Sequence, residues 1–315
     1  MNQRVVMNPF IKVIEIWTPT ADRRRLKLAD GVYGSYTEFE IKSRETEFNY
    51  DEGLPGKTWS KGYPQIITDF ENSYFLRTQD AEAVNLSSAI AFPVFAGEFL
   101  LAVVVFLCGD KKYDAGAVEL WSSDPENQDS MTLVDGYYGS LRILEHISQR
   151  TSFKKGEGLP GTAWDYNLPV IIDEPSNCSI FLRRATAEND GITMAFGIPF
   201  NYQHNESVLT FLSALDSPIA KCCEIWVPDR NHNHLFFHDG KNEVTGELKG
   251  LYKNKHVKRG QGMLGETWLT GCPQITRRVV DDMIMPAEIA EQYEAAFAIP
   301  VIDNGLLHAI VAIYF

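Results

Sequence analysis

The chain has 315 residues, 44% hydrophobic and 23% charged, the balance of a folded protein rather than a disordered one. Its 29 basic and 42 acidic residues give a net charge of −13, which repels a phosphate backbone and excludes nucleic acid as an expected partner. The longest apolar run, residues 99–108, is about half a membrane span, and Met1 opens a polar segment without a signal-peptide core, so a cytoplasmic, membrane-free chain is expected.

Residues 10–17 are rich in β-branched and aromatic types and predict a strand. A polar turn at 18–25 then leads to a hairpin partner at 26–33. Residues 36–44 predict a short helix and 46–49 a strand. Gly53-Leu54-Pro55-Gly56 is expected to break the chain before a single helical turn at 57–61, ended by Gly62. A short strand at 65–68, an amphipathic helix at 74–84 and a closing hairpin of 89–95 with 98–107 follow.

This order is then written twice more. All six tryptophans fall into the pairs Trp17/Trp59, Trp121/Trp164 and Trp226/Trp268. Glu15-Ile16-Trp17 recurs as Glu119-Leu120-Trp121 and Glu224-Ile225-Trp226, at offsets of 104 and 105. Gly53-Leu54-Pro55-Gly56 recurs as Gly158-Leu159-Pro160-Gly161 and Gly262-Met263-Leu264-Gly265. A period of about 105 residues is too long for a solenoid and suits small domains, here expected at 1–110, 111–217 and 218–315. The fold class is α+β: three tandem domains, each an antiparallel five- or six-stranded sheet with connecting helices.

Gly156 to Trp164, Ile171 to Asp173 and Phe181 to Phe200 carry, in order, a glycine-rich Leu-Pro-Gly loop, an Ile-Ile-Asp strand, a Phe-x-Arg segment and an apolar strand. The middle repeat thereby resembles bacterial GAF domains. The first repeat is similar but has Asp51 at the first glycine. The third keeps Gly260, Gly262, Gly265, Trp268 and Pro273 but has Arg277 and Arg278 near the usual aspartate and Met285-Pro286-Ala287 in place of Phe-x-Arg. The long helices that usually flank such domains have no room here: about eight residues join the first repeat's last strand to the second repeat's first. Each sheet is left with an apolar back face, expected to pack on its neighbours or on a second chain.

The resemblance implies a sensory or regulatory protein that binds a small molecule between sheet and connecting segments and, with no output domain in view, acts through a protein effector or self-association through its sheet faces. The ligand-binding candidates are Arg77, Asp69, Phe75 and Trp59 in the first repeat and Arg183, Asp173, Phe181 and Trp164 in the second. A guanidinium there can take a carboxylate or phosphate with both of its arms. The plainer role for Arg77 and Arg183 is a salt bridge to Asp69 or Asp173, and for all six tryptophans it is packing.

An alternative is a structural or protein-interaction module with closed pockets. A further one is a thiol-dependent GAF-type methionine sulfoxide reductase, but no repeat places two of the five cysteines around its loop, Cys178 and Cys272 each standing alone in theirs. No cofactor is clearly implied. His232, His234 and His238 alternate along one hairpin and are the weak candidates for a metal. On the third repeat's opening strand, Cys222 and Cys223 should face opposite ways.

Overall fold

The computed structural model describes residues 9–109, 115–123, 129–202, 205–215, 217–242, 248–282 and 284–315. The first unit runs β1 (Ile11–Pro19), β2 (Arg25–Val32), α1 (Thr37–Glu45), β3 (Glu47–Asn49), α2 (Gly53–Lys61), β4 (Gln65–Ile67), α3 (Thr78–Ala83), β5 (Ser88–Ala96) and β6 (Phe99–Cys108). The second repeats it as β7 (Gly116–Ser123), β8 (Ser130–Tyr137), α4 (Arg142–Ser148), β9 (Ser152–Lys154), α5 (Gly158–Tyr166), β10 (Val170–Asp173), α6 (Arg184–Asp190), β11 (Ile192–Tyr202) and β12 (Asn205–Ala214). The third has β13 (Cys222–Pro228), β14 (Leu235–Asn242), α7 (Gly262–Thr270), β15 (Gln274–Thr276), a 3-10 turn at Val279–Asp282, α8 (Ala287–Ala290), β16 (Ala296–Asp303) and β17 (Leu306–Tyr314).

Strands pair antiparallel in the orders β3-β2-β1-β6-β5-β4, β10-β11-β12-β7-β8-β9 and β14-β13-β17-β16-β15. The third sheet keeps only a bridge between Leu235 and Val257 where the others have a third paired strand, so β14 is its edge. No helix among the described residues is long and apolar enough to cross a membrane.

Two local expectations are corrected. Leu-Pro-Gly does not precede the helical turn but opens it, since α2 starts at Gly53. The first four N–H groups of a helix have no intrahelical partner, so Pro55 loses nothing there. The last glycine of the motif is fixed by contact: a Cβ on Gly56, Gly161 or Gly265 would lie 2.2, 2.0 or 2.3 Å from the carbonyl oxygen of Asn49, Lys154 or Lys258. The motif is thus a close approach of helix to preceding backbone. Asp51, Gly156 and Gly260 hold φ values of 65°, 82° and 74°, the left-handed turn that glycine suits best and Asp51 also adopts.

The helix expected at 74–84 shrinks to α3, because Phe75 and Arg77 turn inward ahead of it and Phe75 stacks on Phe70 at 4.1 Å.

Side chains alternate across each sheet. On β1, Val13 and Trp17 enter the first unit's own core, while Ile14 and Ile16 enter a second core shared by all three sheets. That shared core joins Phe92, Val104 and Phe106 to Phe196, Leu209 and Phe211 and to Ile225, Phe297 and Val311. Phe106 meets Phe211 and Phe297 edge-on at 5.6 and 5.9 Å.

The apolar back faces are therefore buried against one another within the chain. Of the two arrangements expected for those faces, packing on the neighbouring units is the one present in the chain. Cys223 points into the shared core and Cys222 into the third unit's own, because neighbouring residues on a strand face opposite ways.

The units also close a ring: β4 touches β8, β10 touches β14 and β15 touches β2. Lys241 reaches Asp173 at 2.9 Å across the second join and Arg277 reaches Asp30 at 2.6 Å across the third.

Candidate functional site

The front pocket of each unit is built on one carboxylate. Glu15, Glu119 and Glu224 are fully buried on the opening strands, two residues before Trp17, Trp121 and Trp226. Strand alternation puts carboxyl and indole on one face, and each Nε1–H donates to its glutamate, at 2.9, 3.1 and 2.9 Å.

In the first unit Arg77 grips Glu15 with both arms, Nη1 to Oε1 at 2.6 Å and Nη2 to Oε2 at 2.8 Å. The Ser43 hydroxyl of α1 lies 2.7 Å from Oε1, and Tyr33 donates to it at 3.0 Å. Trp17, Phe39, Phe48 and Phe75 surround the guanidinium at 4.7–5.8 Å. The second unit copies this. Arg183 binds Glu119 at 2.5 and 2.9 Å, Ser148 lies 2.6 Å away, and Trp121, Phe153 and Phe181 line the guanidinium.

Burial alone would raise the pKa of Glu15 and Glu119. The arginine charge and the bonds from arginine, serine and tryptophan outweigh it and hold both below the ordinary carboxylate range.

Among the described residues no arginine bonds to Glu224 in the third unit. Tyr252 stands at the serine position, 28 residues after Glu224 as Ser43 is after Glu15, and its hydroxyl donates to Oε1. Tyr314 donates to Oε2 at 2.9 Å and the Cys222 thiol lies 3.9 Å from Oε1. Burial pushes Glu224 up, and the bonds from Tyr252, Trp226, Tyr314 and Cys222 do not offset it. Beside this centre runs a groove of about 320 Å³ between β14 and the turn that follows it, lined by Phe236, Phe237, Lys249, Tyr252, Lys253 and Lys255 among others.

The expected site residues fall out as follows. Arg77 and Arg183 are paired, but with Glu15 and Glu119 rather than with Asp69 or Asp173. Asp69 is exposed and accepts the Glu71 N–H at 3.1 Å as a turn cap; Asp173 is spent on Lys241. Phe75 and Phe181 pack on the arginines inside the sealed pockets. Trp164 is buried under Lys155, and Trp59 is half-buried against Tyr50.

His232 and His238 line one cavity with His308, and His234 stands apart from them. His234 sits 3.8 Å from Asp229 and edge-on to His256, and no group of three His, Cys, Asp or Glu among the described residues could hold an ion. Burial raises the thiols of Cys222 and Cys272, opposite to what a nucleophilic thiolate requires.

The glutamates were missed in the sequence, though a carboxylate recurring three times inside an apolar strand was the signal for them.

Neither a protein-family model nor a curated protein matches the chain. Among solved structures it is similar to the free methionine-R-sulfoxide reductase of Neisseria meningitidis (15% identity, TM-score 0.25, 31% of this chain and 52% of that one). It is also similar to the nlh2 GAF domain of A. aeolicus (23%, 0.26, 31% and 58%) and to a GAF domain/HD domain protein of Geobacter sulfurreducens (18%, 0.27, 31% and 63%). Each unit is an antiparallel sheet of five or six strands with connecting helices, an α+β fold. The chain spans about half to two thirds of the length of these proteins, and the matched share of it is the size of one of its three units.

Proposed function

We propose that the chain is a regulatory protein responsive to a small molecule, with the first two GAF-like units as a sealed scaffold and the third as the binding unit, acting through a protein partner. The observation that carries this is the unequal treatment of three equivalent carboxylates: arginine and aromatic rings fill the pocket over Glu15 and Glu119, whereas Glu224 is held by neutral donors, among them Tyr252, whose ring walls a groove of about 320 Å³ against about 240 Å³ for the groove beside Phe39 in the first unit. This departs from the expectation that the ligand-binding residues lie in the two arginine-bearing repeats. The test is thermal denaturation of the whole chain against cyclic nucleotides, amino acids and aromatic acids, where a ligand of the native state raises Tm by mass action. Stabilisation that disappears on blocking the third unit's groove supports the reading; no shift with any compound sinks it.

A second reading has its own support. Two filled pockets favour an interaction module whose surface, rather than any cavity, meets a partner, and that reading is left standing when no compound stabilises the chain.

A further inference from the structure

We propose that the groove of the third unit takes a small planar aromatic carboxylate, held by Lys249 and Lys253 and laid on Phe236. This rests on the preceding reading that the third unit is the binding one.

Charge is the first support. In a chain of net charge −13, residues 249–259 carry Lys249, Lys253, Lys255, Lys258 and Arg259 with no acidic residue among them. Such a patch draws anions to one place on an otherwise repelling surface. Lys249 meets Asp239 only at 3.8 Å with 69% of its side chain exposed, a pair worth little that a ligand carboxylate can replace. Lys255 is anchored instead, its Nζ donating to the Ile284 carbonyl at 2.5 Å, which fixes that wall while keeping its charge beside the groove.

Shape is the second. Phe236, 41% exposed on the strand beside these lysines, lines the groove together with Phe237 and Tyr252, whose rings lie 4.9 Å apart. A flat ring laid there takes apolar area on both partners out of water. About 320 Å³ stands at the small end of ligand sites, enough for one or two fused rings. The groove lies along the sheet edge, outside the sealed sandwich pockets. Its floor nevertheless reaches the buried centre, because the Tyr252 hydroxyl donates to Glu224.

The experiment is calorimetric titration of the full chain with 2-naphthoate, with 2-naphthylmethylamine as the same ring of opposite charge and acetate as the charge without the ring. Saturable binding of naphthoate alone is expected, weakened about tenfold or more in K249A/K253A, the scale of losing charge-assisted hydrogen bonds. F236A should also weaken it, and circular dichroism of the unliganded K249A/K253A chain should be unchanged. Equal binding by the amine, or undiminished naphthoate binding in K249A/K253A, overturns the assignment. If naphthoate fails while another compound of the wider panel raises Tm, the ligand class falls and the functional reading stands. If none does, both fall.

Discussion

In the first two units a buried glutamate is held by both arms of an arginine besides a serine hydroxyl and an indole; in the third the equivalent glutamate, on the equivalent strand beside the equivalent tryptophan, is held by hydroxyls, an indole and a thiol. The difference teaches what each pocket is for. A fully buried ion pair is closed to outside ligands and fragile to loss of either partner. A carboxyl ringed by neutral donors is less costly to alter, and one of those donors, Tyr252, also lines the neighbouring groove.

The largest effect that would break the comparison lies in the arginine units. R77M or R183M strands a buried carboxylate and should cost about 3–5 kcal/mol in urea unfolding. A loss under about 1 kcal/mol would show that the pairs are not sealed. The double change E15Q/R77M removes both charges while keeping an acceptor for the Trp17 indole, and should cost less than either single change.

E224Q should move stability by no more than about 1 kcal/mol, since a glutamine oxygen can accept from Trp226 and Tyr314 while its amide donates to the Tyr252 oxygen. A loss as large as that of R77M would erase the contrast.

The smallest effect is in pH. Glu15 and Glu119 have folded pKa values below the unfolded one, so their contribution is present above the ordinary carboxylate range and is lost as pH falls through the folded values. Glu224 has its folded pKa raised, so its contribution is full below the unfolded pKa and is lost as pH rises through the folded one. Stability measured from pH 4 upward should therefore rise more in E224Q than in the parent chain; parallel profiles would contradict the assigned direction.

Much of this was legible in the chain. Strand positions, the triple repeat and the buried back faces follow from β-branched runs, paired tryptophans and the short joins between repeats. The arginines were also visible, but their partners were not. Asp69 and Asp173 are close in sequence, whereas Glu15 stands 62 residues before Arg77 and Glu119 stands 64 before Arg183, so only the closed sheet brings them together. The Leu-Pro-Gly segment read as a break because proline and glycine usually are one; its role as a helix start depends on a backbone carbonyl about 2 Å from where a Cβ would be. The third unit's groove had no signature of its own, since it arises where a third paired strand is reduced to one bridge.

The shared core gives the ring a mechanical character. Each unit supplies one wall of a common interior, and each also abuts both neighbours at the rim, so no unit has a free end along which a disturbance could dissipate. Ile225 of β13, next to Glu224, lies in that common interior. The strand that carries Glu224 is thereby tied to the other two sheets through one apolar layer.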